Sequence, residues 1–112
     1  MKTPLITALL LCALTVPSFA DESLGTQDLR KLAPGRYSVS VMGLVNMTVS
    51  LRSNGVITGV TSKGKRDSGI WVVKGNSFCV AWNRWLGGKR RCANLSGGNG
   101  TYSGGGLWLQ RI

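Results

Sequence analysis

From Gly35 to the C-terminus the chain alternates apolar and polar residues in short runs, and glycine stands at most of the breaks. Tyr37, Val39 and Val41 alternate with Arg36, Ser38 and Ser40. Met47, Val49 and Leu51 alternate with Asn46, Thr48, Ser50 and Arg52. A period of two puts successive side chains on opposite faces of a pleated strand, so each run has one face for a core and one for solvent. Asn54-Gly55 supplies the positive φ angles of a two-residue hairpin turn. Further strands are expected over 56–61, 69–74, 77–83, 89–95 and 107–112, with a turn at Gly75-Asn76 and a polar, basic loop over 62–68. That gives seven strands, or eight if Thr101-Tyr102-Ser103 pairs within the glycine-rich stretch 96–106. Short strands joined by tight turns describe an all-β, up-and-down meander. A meander of this size hides its edges by curling into a small barrel, and bends and bulges in such a sheet account for many of the sixteen glycines. A two-sheet sandwich is the competing arrangement.

The N-terminus is built differently. Lys2, an apolar run over 4–16, a break at Pro17 and small residues at Ser18 and Ala20 have the form of a cleavable export signal, residues 1–20. The run is shorter than the roughly 20 residues a membrane-spanning helix needs. Residues 21–34 then read as a short helical lead-in carrying Leu24, Leu29 and Leu32 and ended by Pro34-Gly35, and residues 35–112 as the β-domain. Export implies a periplasmic or secreted protein. Cys12 leaves with the signal, and the remaining Cys79 and Cys92 read as a disulfide. Two thiolates without histidine fall short of a structural zinc site, and their spacing is not that of a redox Cys-x-x-Cys. If Cys79 faces Cys92 across an antiparallel pair, Ala81 faces Arg90 and the turn between them centres on Trp85-Leu86.

Chemistry is narrowed by what is missing. The chain has no histidine, and from Gly35 onward Asp67 is its single carboxylate. Imidazole bases and paired acids are therefore unavailable in the β-domain. The glycine clusters are not followed by Lys-Ser/Thr and open no helix, so they are not phosphate loops. The expected protein is non-enzymatic, with no cofactor and no metal.

Fourteen Lys or Arg stand against four Asp or Glu, and the topology says where the excess falls. In a meander alternate loops emerge at the same end. The third and fifth connections bring together Lys63, Lys65 and Arg66 with Arg84, Trp85 and Lys89, and Arg90 and Arg91 begin the next strand. The loops of the opposite end carry only Arg52 and Lys74. A basic rim with an exposed Trp suits phosphate or sulfate groups attached to something flat or apolar. The partners expected for an exported chain are lipopolysaccharide, an acidic lipid or an acidic polysaccharide. Nucleic acid comes last among them, because no nucleic-acid module is recognisable. Two rival classes are a protein-binding module (an inhibitor of a secreted hydrolase or a host-directed effector, met by an acidic partner) and a small-molecule carrier of the avidin or lipocalin type. Trp71, Phe78, Trp82 and Trp108 are expected in the core. The carrier reading would instead have Tyr37, Trp71, Trp82 and Trp108 line a cavity.

The stretch 69–82, Gly-Ile-Trp-Val-Val-Lys-Gly-Asn-Ser-Phe-Cys-Val-Ala-Trp, with Cys92 beyond it, resembles a family of small secreted bacterial β-proteins catalogued as a domain of unknown function. The resemblance spans about residues 35–112. It implies a bacterial envelope or secreted β-domain and carries no catalytic residue over.

Overall fold

The computed structural model describes residues 23–112, and there the alternating runs are the strands of one antiparallel sheet. They are β1 Gly35–Val41, β2 Val45–Leu51, β3 Val56–Thr61, β4 Arg66–Lys74, β5 Ser77–Trp82, β6 Arg90–Ala93, β7 Ser96–Gly98, β8 Thr101–Gly104 and β9 Leu107–Arg111. The order across the sheet is β6-β5-β4-β3-β2-β1-β9-β8-β7. It is a meander whose last hairpins return to pair β9 with β1, curled into a half-barrel. One sheet replaces the competing sandwich. Nine strands replace the expected seven or eight, because Ser96–Gly98 pairs with Thr101–Ser103 and the expected strand over 89–95 stops at Ala93. The strand β4 starts at Arg66, inside the stretch expected to be loop. The expected export signal, and Asp21-Glu22 of the lead-in, lie outside the described residues.

The two edge strands are successive pieces of chain. β6 and β7 run in the same sense and are separated only by Asn94-Leu95, one pairing with β5 and the other with β8. The seam between them is tight: a Cβ on Gly104 of β8 would collide with the Asn94 carbonyl. Ser23 bridges to Ser96, and the Leu24 N–H donates to the Leu95 carbonyl at 2.6 Å, so the N-terminal segment covers the same seam.

The inner face carries Tyr37, Val39, Val49, Leu51, Ile57, Phe78, Trp82 and Leu109, all buried. At the end where 52–55 and Gly75-Asn76 emerge, the lead-in forms a lid. A single helical turn, α1 Thr26–Arg30, sits there, and the Thr26 hydroxyl donates to the Gly75 carbonyl at 2.5 Å. Leu29 and Leu32 are buried beneath it, each gaining roughly 1.5–3 kcal/mol from leaving water. Tyr37 ties lid to sheet. Its hydroxyl donates to the Leu32 carbonyl at 2.6 Å and accepts from Arg111 Nη2 at 2.8 Å. Burial pushes the Tyr37 pKa up, against the nearby Arg111 guanidinium, so the phenol keeps the proton it donates.

The disulfide joins Cys79 to Cys92, directly opposed across β5–β6, with Ala81 facing Arg90 as the spacing implies. Closing a loop of about this length constrains the unfolded chain by roughly 3 kcal/mol in the chain-entropy account. Trp108 is not in the core. It stands opposite Ser40 and Ser103 on the outer face and is 45% exposed, because β9 turns Leu107, Leu109 and Arg111 inward.

Candidate functional site

The half-barrel is filled only at its lidded end. Towards the other end it encloses a cavity of about 580 Å³, within the 300–1,000 Å³ usual for small-molecule sites. Its wall is aliphatic and aromatic, with Val39, Val49, Leu51, Phe78, Val80 and Leu109 among the lining residues. Its mouth is bounded by Met42, Val45, Trp85, Leu86 and Gly105, contributed by the first and fifth connections and the β8–β9 turn. Of the four aromatics of the carrier reading only Trp82 lines the cavity. Tyr37 and Trp71 belong to the lidded end, where Trp71 stacks on Phe78 and donates from Nε1 to the Arg52 carbonyl at 2.8 Å.

The fifth connection is folded over the rim by one carboxylate. Asp67, on the inner face of β4, accepts from the N–H groups of Arg84 and Trp85 at 2.8 and 2.9 Å through Oδ2. Arg84 Nε lies 3.7 Å from Oδ1, the sole ion pair among the described residues. Burial alone would raise the Asp67 pKa. The backbone donors Trp85, Arg84 and Ser68, and then the Arg84 charge, more than offset it and hold the carboxyl below its ordinary value. Asp67 was legible only as the lone acid of the β-domain. Its role as the anchor of the fifth connection needed the structure.

That anchoring places Trp85. Expected as an exposed aromatic, it is half-buried and packs on Trp82 with ring centroids 4.7 Å apart. The pair sits over Gly59 of β3, where an added Cβ would lie 2.8 Å from the Trp82 ring and 3.0 Å from Trp85. The close approach requires a residue without a side chain, and the result is an aromatic wall at the cavity mouth.

The expected basic residues do gather at this end. Arg84 Nη2 donates to the Arg66 carbonyl at 2.9 Å, which joins the third and fifth connections directly. Lys63, Lys65, Arg66, Lys89, Arg90 and Arg91 are exposed and form no ion pair with a described carboxylate. Arg91 is on the inner face opposite Val80 and lines the cavity, whereas Arg90 is on the outer face opposite Ala81. The other end is less bare than its loops imply, since Arg30, Lys31, Arg36 and Arg111 join Arg52 and Lys74 there. Charge therefore does not distinguish the two ends. The cavity does, and three apolar tips surround its mouth: Met42 is 69% exposed, Leu44 84% and Leu86 54%.

Among the described residues no cluster of His, Cys, Asp or Glu has the makings of a metal site. No helix among them is long and apolar enough to cross a membrane. In comparisons with known proteins, no family model matches the chain, and neither a curated protein nor a solved structure matches it.

Proposed function

We propose that this is a non-enzymatic, exported binding protein for an anionic amphiphile, a molecule with one apolar portion and one acidic group. The observation that carries the reading is that an apolar cavity opens onto the same rim as Lys63, Lys65, Arg66, Arg84, Lys89, Arg90 and Arg91. The apolar part enters between β1, β2, β5 and β9, past the Trp82–Trp85 wall. The acidic group stays at the mouth, where Arg91 reaches from the inner face. Arg84 contributes by holding the fifth connection against the third. This joins the anion-binding and carrier readings in one site. It narrows the expected partners to acidic lipids and the lipid portion of lipopolysaccharide, and sets acidic polysaccharide and nucleic acid aside, since neither has a part for the cavity. The finer reading of the fold follows. Taken as one bent stave, β6 and β7 make the sheet a closed, eight-stave barrel, and a closed wall is what retains an apolar guest.

Delipidated protein titrated with a long-chain alkyl phosphate below its aggregation concentration tests this. A saturable shift of Trp emission is expected, weaker by about 10- to 100-fold for the neutral alcohol of equal length, the worth of one charge-assisted hydrogen bond. Affinity should fall with added salt as the Debye length shrinks from about 10 Å at 0.1 M to about 3 Å at 1 M. Equal affinity for alcohol and phosphate would remove the rim from the site. Binding of neither, alongside a salt-resistant 1:1 complex with an acidic protein, would favour the protein-binding class.

A further inference from the structure

Two turns at the mouth are built against their own backbone preference. In the β1–β2 turn Met42 and Gly43 have φ of 53° and 69°, with the Leu44 N–H donating to the Val41 carbonyl at 2.9 Å. In the fifth connection Leu86, Gly87 and Gly88 have φ of 58°, 67° and 72°, and the Lys89 N–H donates to the Leu86 carbonyl at 3.2 Å, so Gly87-Gly88 are the central pair of that turn and Leu86 precedes them. Two successive left-handed residues are the geometry of a turn that favours Asn-Gly, because an L side chain with a Cβ is strained there. The chain uses that preferred pair elsewhere: Asn99-Gly100, at the lidded end, has φ of 55° and 88°. At the mouth a methionine holds the asparagine's position in one turn, and in the other a leucine is left-handed just before the central glycine pair, both more than half exposed. Leu44 beside them is the most exposed large apolar side chain of the described residues. Strained backbone persists where the surrounding structure holds it, and such residues concentrate at working surfaces.

We propose that the open end of the barrel docks on an anionic lipid bilayer, with Met42, Leu44 and Leu86 as the side chains that enter it. Exposed apolar tips beside a rim of cations, all but Arg84 without an ion pair among the described residues, match the two layers of such a surface, an acyl interior beneath acidic headgroups. A flat protein partner would offer the tips no comparable depth, and a second copy of this rim would bring like charges together. The purpose of docking rests on the ligand reading: an amphiphile would pass between bilayer and cavity without crossing water.

The test is sedimentation of the full mature chain with vesicles of phosphatidylcholine alone and of phosphatidylcholine with about one-third phosphatidylglycerol. Binding to the anionic vesicles only is expected. Changing Lys63, Lys65, Lys89 and Arg90 together to Gln should weaken it by about 100-fold or more. Leu44→Ser lies outside the cavity lining and should weaken it about tenfold while leaving alkyl-phosphate binding unchanged. Met42→Gly with Leu86→Gly should weaken it further, with a melting temperature no lower than the wild type, so that unfolding does not explain the loss. Wild-type affinity for anionic vesicles in the Leu44→Ser and double-glycine variants would overturn the proposal. Indifference of the wild type to vesicle charge would overturn it too. So would a dimer in sedimentation velocity that the same variants convert to monomer, since the tips would then cover a second copy. Loss of alkyl-phosphate binding by the wild type, with vesicle docking intact, would refute the ligand reading and not this one.

Discussion

The two ends of the half-barrel fill left-handed backbone positions with different residues. At the lidded end Asn99-Gly100 occupies two left-handed positions with residues that tolerate them, and the surrounding side chains are buried or hydrogen-bonded: Leu29, Leu32, Tyr37 and Leu95. At the mouth Met42-Gly43 occupies the equivalent positions and Leu86 is left-handed just before Gly87-Gly88, with side chains that do not; both are more than half exposed and border an apolar cavity. Charge is shared by both ends. Burial is concentrated at one, while the left-handed methionine and leucine and the cavity mouth are at the other.

The largest loss of stability is expected at the lid. Leu29→Ala removes a fully buried side chain from beneath α1 and should cost about 3 kcal/mol in denaturant unfolding. A loss below about 0.5 kcal/mol would mean that the lid is an ornament and that stability resides elsewhere. Next in size is Gly59→Ala, which thrusts a methyl into the Trp82–Trp85 wall. About 1–3 kcal/mol of overpacking is expected, with a red shift of Trp emission as Trp85 is displaced. Unchanged emission would show that the wall is not held by that notch.

The turns themselves sharpen the comparison by exchange. Leu86→Gly or Met42→Gly should stabilise the fold by up to about 1 kcal/mol, and Asn99→Leu should destabilise it by about 1 kcal/mol. Equal signs for the two kinds of change would dissolve the contrast between the ends. The smallest global effect is expected at Asp67, whose work is local. Its pKa is lowered by folding, so its contribution is complete above the ordinary value of 3.8 and is lost as pH falls through the lower folded value. Amide exchange of Arg84 and Trp85 should therefore accelerate below pH 3.8 and, in Asp67→Ala, at neutral pH as well, while β1 and β2 remain protected. Uniform loosening of the whole domain would contradict a local anchor.

Much of the fold was legible in the residues because period-two alternation directly assigns faces. The inward row Tyr37, Val39, Val41 and its partners Met47, Val49 and Leu51 follow from it, as does the Cys79–Cys92 register. Ser96–Gly98 was missed as a strand because glycines carry no alternation to read. Trp108 was misplaced because an aromatic in a strand suggests burial, whereas its neighbours Leu107 and Leu109 decide which face is inner. At the mouth the basic residues and their loops could be read from connection order alone. Trp85's position could not, since it depends on Asp67 reaching across 18 residues and on Gly59 lying opposite Trp82. The cavity was equally hidden, because its volume is set by how far the sheet curls. So was the left-handed backbone at Met42 and Leu86, since a glycine marks a turn without saying which neighbour shares its strain.

In the proposed site the apolar part of a ligand passes the mouth and lies against Trp82 and Trp85. The most direct measurement is quenching of Trp fluorescence by an alkyl phosphate brominated along its chain, in the wild type and in Trp108→Phe and Trp85→Phe variants. The expected result is saturable quenching that Trp108→Phe retains, since Trp108 faces outward, and that Trp85→Phe reduces. Quenching that survives Trp85→Phe but disappears in Trp108→Phe would put the ligand on the outer face of β9 and contradict it.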